Sequence, residues 1–334
     1  MCVSPLKGFV IGKHPSGKDK FKITSYDVDH VEFLNNSWVD CYSVTLGGYS
    51  TKVVREFTEI PCGHCLECRL SYSRQWADRM MLESQDHDYN WFFTLTYDNE
   101  HINLVPVSNG SFMGTLDKRD VQLFMKRLRK HYSDQKVRFY LAGEYGDNTY
   151  RPHYHAIIFG LQIDDLEQFG MSSNYPVYIS NTISKIWGKG HIMIAPVSWD
   201  TCAYTARYVV KKQKGRTAAL YDSIGIEPEF CLMSRRPGIG RNYFDEHYKD
   251  IYKTDEVIYS TAKGGHTSKP PRYFDKCLER LDEDWYNLVK ASRKRVAEEA
   301  RRVLLHYSGL TIQEINQRRK EALKSRTKVL KRQL

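Results

Sequence analysis

Two short runs, residues 137–144 (VRFYLAGE) and 153–159 (HYHAIIF), constrain this chain more than any other feature. Each is rich in apolar, β-branched and aromatic residues. The segment between them, 145–152, carries Gly, Asp and Asn, which turn a chain back on itself. The spacing predicts an antiparallel hairpin. Its second strand opens on His153-Tyr154-His155, and side chains alternate across a strand, so both imidazoles face one side. With 12 histidines in the chain, chance supplies about 0.4 such pairs, so the pattern alone is weak. The plain structural alternative is a pair of exposed strand-end histidines. Glu144 sharpens the case, because it ends the preceding strand and can reach the same face. Two imidazoles and a carboxylate make a site with open positions, suited to Mg²⁺ or Mn²⁺ when a phosphate completes the shell.

Elements around the hairpin place it in a larger sheet. Residues 91–97 (WFFTLTY) form a compact apolar run expected to be a buried strand, and residues 191–197 another. Residues 66–84 show helical periodicity through Trp76, Met80 and Met81. A helix is expected over 117–132, with Asp117 as N-cap and Asp120 three residues on. Val121, Phe124, Met125 and Leu128 mark one face, and Lys126, Arg127, Arg129 and Lys130 the other. A further helix spans 199–212. This order argues for an α+β fold around a central, mostly antiparallel sheet with flanking helices. Beyond Pro270-Pro271, Trp285, Leu288, Val289, Val296, Val303 and Leu304 form an amphipathic stripe, and a last helix opens with Thr311-x-x-Glu314. The expected division is an N-terminal segment (1–90), a core (91–270) and a basic helical extension (271–334).

Tyr204 and Tyr208 stand four apart in the helix expected over 199–212, so their hydroxyls project together about 6 Å apart along the axis. Chance supplies about 1.6 such pairs in so tyrosine-rich a chain, and aromatics at this spacing are more often core. Their cationic company, Arg207, Lys211 and Lys212, argues otherwise. A phenol ionises near pH ~10, so attack on a phosphodiester needs a nearby metal or cation. One tyrosine can cut, and a second can cut the regenerated site after a round of synthesis.

Cys62-Gly-His-Cys65-Leu-Glu-Cys68 is the least accidental motif, with fewer than ~0.01 occurrences expected by chance. The chain has eight cysteines, no secretory h-region and no run of about 20 apolar residues, so a soluble, cytosolic protein without a membrane span is expected. In a reducing compartment such a cluster points to zinc rather than disulfides. Cys2, Cys41 and His64 are the candidates for a fourth ligand. Cys2 is favoured, and His64 is too near in sequence to add without strain. Buried free thiols are the alternative. Net charge is +10, and residues 290–334 carry 14 Lys or Arg against 4 Asp or Glu, leaving the remainder neutral. A basic tail on a neutral body suits a polyanion-binding protein, or a solvated helical appendage.

Three segments together resemble a known family. FFTLTY (92–97), GEYG with RPHYHAIIFG (143–146 and 151–160) and AYTARYVVKK (203–212) resemble the ordered motifs of the HUH endonucleases. The likeness is greatest to the two-tyrosine replication initiators of gokushovirus-type microviruses, small circular single-stranded DNA phages. PCGHCLECRLSYSRQWADR (61–79) and LMSRRPGIGRNYF (232–244) are similar to segments of those proteins, so the resemblance covers residues 61–250. It implies His153 and His155 as metal ligands, Glu144 as the third, and Tyr204 and Tyr208 as nucleophiles. Where several relatives have a lysine between the tyrosines, this chain has Arg207. The implied fold is a palm-like antiparallel sheet with the histidine strand central.

The function expected from these readings is initiation of rolling-circle replication in the host bacterial cytoplasm. The enzyme would nick single-stranded or melted origin DNA, form a 5′-phosphotyrosine, leave a 3′-OH primer and later religate. No GxxxxGK[ST] loop is present, so a host helicase as well as a host DNA polymerase is expected to act with it. Two alternatives remain at this level: a single-strand transposase or relaxase of the same superfamily, and a non-catalytic nucleic-acid-binding module with structural zinc.

Overall fold

Two-residue alternation along the apolar runs lets each strand serve two cores, and this organises the larger part of the molecule. The computed structural model describes residues 2–42, 52–107, 110–146, 148–172, 175–211, 219–261 and 264–330, with backbone alone at 208–211, 219–220 and 328–330. They fall into two compact units, Tyr72–Glu298 and Met1–Ser71 with Glu299–Leu334.

In the larger unit, seven strands build one antiparallel sheet. They are β1 (Asn90–Thr96), β2 (Arg138–Tyr145), β3 (Pro152–Phe159), β4 (Leu166–Ser172), β5 (Tyr175–Ser180), β6 (Ile192–Pro196) and β7 (Phe230–Met233). Their order is β4-β5-β6-β1-β3-β2-β7, which makes the histidine strand β3 an interior one. The expected hairpin is β2–β3, with Glu144 directly opposite His153. The α+β class is as expected. The β4–β5 hairpin and β7 escaped the sequence reading, because LEQFGMS lacks clean apolar alternation, Pro176 interrupts β5, and β7 has only four residues.

Four helices position the site: α1 (Leu66–Ser84), α2 (Lys118–His131), α3 (Asn181–Trp187) and α4 (Trp199–Lys211). On one sheet face, Val121, Phe124 and Leu128 of α2 and Trp187 of α3 bury Leu95, Tyr154, Ala156 and Ile158. On the other, Ala77 and Met80 of α1 and Cys202, Ala203 and Ala206 of α4 bury Tyr140, Ile157 and Phe159. The odd-numbered residues of β3 therefore face α4. Asp117 caps α2 as expected, accepting from the Arg119 amide at 2.6 Å. Asp120 does not complete a capping box. It is buried and receives the Tyr97 hydroxyl at 2.8 Å and Lys189 Nζ at 2.9 Å.

A further apolar cluster joins Leu82 to the helices Arg241–Thr254 and Arg272–Leu281 and to Val257 and Tyr259 of the hairpin Val257–Thr261/Gly264–Ser268. The stripe expected across the helix Glu283–Ser308 is only partly used. Val289 is buried, whereas Leu288, Val296 and Val303 are exposed, because only the first turns of this helix have an apolar partner in that cluster.

The smaller unit contains two three-stranded sheets. One pairs Leu6–Lys13 with Asp19–Thr24 and Phe57–Ile60, and the other pairs His30–Leu34 with Ser37–Cys41 and Val53–Val54. Phe9, Val28 and Val31 are its buried apolar centre. Its helix Ile312–Leu330 opens with the expected box, in which the Glu314 amide donates to Thr311 Oγ1 at 3.3 Å and the Thr311 amide to Glu314 Oε2 at 2.8 Å.

Candidate active site and cysteine cluster

Strand pairing creates the candidate site. Glu144 and His153 are cross-strand partners, and His155 lies two residues further along the same face. Both imidazole Nε2 atoms converge on one carboxylate oxygen, Glu144 Oε1, at 2.8 Å from His153 and 3.1 Å from His155. The donor atoms of all three lie within 4.8 Å of one another. Glu144 is 2 % exposed and His155 4 %. Burial pushes the Glu144 carboxyl up, but hydrogen bonds from His153 and His155 outweigh it and hold the group below its ordinary value. The carboxylate therefore stays ionised among the imidazoles, as a cation ligand must.

The far nitrogen of each ring is also held. His153 Nδ1 lies 3.1 Å from the Arg151 carbonyl, and His155 Nδ1 lies 3.1 Å from Thr94 Oγ1 on β1. Such outer contacts select the tautomer and leave Nε2 to bind. The fit to a divalent cation rests on this: two imidazole nitrogens and one carboxylate oxygen converge, with their outer atoms already engaged. Thr94→Val keeps the shape but removes the contact to His155. It is expected to weaken Mn²⁺ binding about 10–100-fold, measured by calorimetry, with excess Mn²⁺ restoring the site; unchanged affinity would show that Thr94 does not orient the ring.

Tyr204 of α4 reaches this face. Its ring centroid lies 4.9 Å from that of His155, edge to face, and 6.2 Å from that of Phe92. Phe92 stacks flat on His155 at 5.4 Å and 8°. Phe92, Thr94, Arg151, His153, His155 and Tyr204 line an open pocket of about 480 Å³ with Met193 on its rim. Tyr208 and Lys211 lie in α4, but their side chains, and all of Lys212, fall outside the described residues. Arg207 is half-buried on α4 and does not line the pocket. The lining cation among the described residues is Arg151, which also donates to the Tyr97 carbonyl at 2.8 Å. Arg151, Thr94 and Phe92 were missed in the sequence. The alternation Phe92-x-Thr94-x-Thr96 was the available signal, since these residues pair across from the histidine face.

In the smaller unit, Cys2 meets the cysteine motif. Its Sγ lies 3.6 Å from that of Cys62 and 3.7 Å from that of Cys65, and all four donors, Cys68 included, gather within 4.8 Å. Those separations are far too long for a disulfide and close to the ~3.8 Å between sulfurs on a tetrahedral zinc. Burial raises the Cys65 thiol, but backbone donors Cys68 and Val3 outweigh it and hold it at about 7. Of the other candidates for a fourth ligand, His64 turns Nδ1 to the Cys62 carbonyl at 2.8 Å, and Cys41 groups instead with His30 and Glu32.

Comparison with known proteins bears on the whole arrangement. Residues 90–213 match the family model of replication-associated protein ORF2. The replication-associated protein ORF2 of Spiroplasma virus 4 is 37% identical over 245 residues, covering 71% of this chain and 74% of that protein. The chain belongs to the replication-associated proteins of the microviruses. Two further family members are VP4 of Bdellovibrio phage phiMH2K, 30% identical over 71% of each chain, and ORF4 of Chlamydia phage 1, 29% identical over 75% of this chain and 62% of its own. No solved structure matches this family member. The stretch that matches the family model runs from β1 through α4, and so includes Glu144, His153, His155 and Tyr204.

Proposed function

We propose that this microvirus replication-associated protein is an HUH-type endonuclease that nicks the origin strand and starts rolling-circle replication. The observation that carries the reading is the convergence of His153, His155 and Glu144 on the sheet face where Tyr204 packs against His155. Glu144, His153 and His155 would hold Mg²⁺ or Mn²⁺, with the two imidazoles favouring the latter. When bound, such an ion supplies positive charge to the scissile phosphate.

The chain's own groups account for the rest. A tyrosine phenol loses its proton and its Oη attacks phosphorus, the P–O3′ bond breaks, and the 3′-oxygen leaves and takes a proton. The 5′-phosphate stays esterified to the tyrosine, which conserves the bond for later religation. Tyr204 is the nucleophile at the described pocket, and Tyr208, one turn on, would be its partner. Arg151, and Arg207, Lys211 and Lys212 on or beside α4, would offset charge on the phosphate. An arginine is too basic to donate the proton but neutralises charge well.

Substrate binding would draw on phosphate contacts from the basic face of α2 and from the basic C-terminal helices, all weakening with salt. On α2, Lys126 and Lys130 would serve as point charges. Arg127 and Arg129 each use part of their donor set on a carbonyl, of Trp187 at 3.0 Å and of Val137 at 3.2 Å, and would offer phosphate the rest. Host polymerase and helicase would extend and unwind from the 3′-OH in the host bacterial cytoplasm; among the described residues no helix is long and apolar enough to cross a membrane.

The test is incubation with a labelled origin oligonucleotide and Mn²⁺, followed by a denaturing gel. A shifted band that survives denaturant is the expected result. Binding without such a band, from folded protein, would favour a non-catalytic module.

We further assign a structural zinc to Cys2, Cys62, Cys65 and Cys68, pinning the N-terminus to the start of α1. Cys65→Ser is expected to remove one zinc equivalent relative to the unchanged chain and to lower its thermal midpoint, read by elemental analysis and calorimetry. Equal zinc content in both would leave the four as plain thiols.

A further inference from the structure

The hairpin of His30–Leu34 and Ser37–Cys41 turns through Asn35 and Asn36, both with positive φ (48° and 63°), the conformation a two-residue hairpin loop requires. That turn sets a register in which His30 faces Cys41 and Glu32 faces Val39. Residues 30 and 32 share a face by strand alternation, and the cross-strand partner of His30 shares it too, so imidazole, carboxylate and thiol are brought together. Their donor atoms all lie within 4.8 Å of one another. His30 is fully buried and Glu32 is 7 % exposed.

We propose that His30, Glu32 and Cys41 form a second transition-metal site, of zinc type, separate from the four-cysteine cluster and from the histidines of the larger unit. His30 Nε2 points at Glu32 Oε1 at 2.9 Å, and Nδ1 is held by Asp29 Oδ2 at 2.9 Å. A carboxylate behind the outer nitrogen is the usual support of a metal-binding imidazole, fixing its tautomer and raising its basicity. An imidazolium bridging two carboxylates would account for His30, Asp29 and Glu32, but it gives no reason for the thiol gathered with them. Donors on a zinc ion lie about 2.0–2.3 Å from it, so the triad closes around one with movements of a few tenths of an ångström. The mixed nitrogen, oxygen and sulfur set excludes Mg²⁺ and Ca²⁺, which take oxygen donors, and selects Zn²⁺ or its cobalt substitute. Water completes the tetrahedron. The ion would tie both strands of the hairpin at the end opposite its turn.

The test uses the full chain with Cys62→Ser and Cys65→Ser, titrated with Co²⁺. A thiolate-to-cobalt charge-transfer band is expected, because Cys41 still supplies sulfur, whereas the His153 site has none. Adding Cys41→Ser should abolish the band, and adding His30→Asn should weaken Co²⁺ binding at least tenfold. No band from folded protein, or a band that persists without Cys41, overturns the proposal. Should the double variant not fold, native mass spectrometry of Cys41→Ala in the otherwise unchanged chain decides: one zinc fewer is expected, and an unchanged count overturns the assignment. Neither readout involves nicking, so the outcome is independent of the activity proposed above.

Discussion

Replacing His153 or His155 by alanine is expected to lower origin nicking at least ~1000-fold while the chain remains folded. A cation at a phosphate is worth several kcal/mol of transition-state stabilisation, and each 1.4 kcal/mol or so is about a factor of ten in rate. Losing one of two imidazoles that converge within 3.1 Å of the same carboxylate oxygen removes a third of the donor set. The two variants should differ in stability. The His155 side chain is 5 % exposed and the His153 side chain 19 %, so His155→Ala leaves the deeper void. Each also takes a hydrogen-bond partner from buried Glu144, at a cost of about 1–3 kcal/mol. With fewer partners the Glu144 carboxyl rises towards its ordinary range, so the stability it contributes above that range is reduced in both variants. Nicking and adduct yield at saturating Mn²⁺, with circular dichroism as the folding control, provide the measurement. Full activity in either variant would remove the metal-site assignment.

Changing Tyr204 and Tyr208 together to phenylalanine should abolish covalent attachment to DNA, with adduct yield falling below detection. Phenylalanine keeps the ring that packs edge to face on His155 and beside Phe92, so the Tyr204 change costs little packing and isolates the hydroxyl. Each single change is expected to leave some adduct if the tyrosines alternate. Origin binding should persist in all three variants, because phosphate contacts come from other residues. Mass spectrometry of a peptide–DNA adduct from the unchanged protein names the nucleophile directly. An adduct formed by the double variant would point to a different residue.

Much of the larger unit was legible in the sequence because its central elements obey local rules. Strand β1 is a dense apolar run, α2 has a clear cap and apolar face, and β2–β3 is a hairpin with a turn-rich connection. The edge pieces β4, β5 and β7 were not legible, since short or half-exposed strands lack the periodicity that burial on one face imposes. The Glu283–Ser308 stripe failed for the converse reason: periodicity records what a helix can bury, and a partner must exist to bury it.

By itself the sequence determined which groups share a face. His153 and His155 are two apart in a strand, Tyr204 and Tyr208 four apart in a helix, and the three close cysteines stand at metal-ligand spacing. These follow from backbone periods, which act over a few residues. Which face of the sheet α4 covers, that Thr94 and Arg151 border the same pocket, that Cys2 joins the cluster and that Cys41 leaves it for His30 and Glu32, only the tertiary structure decided. Those pairings are set by strand register and helix packing between segments tens of residues apart, and no local period carries that information.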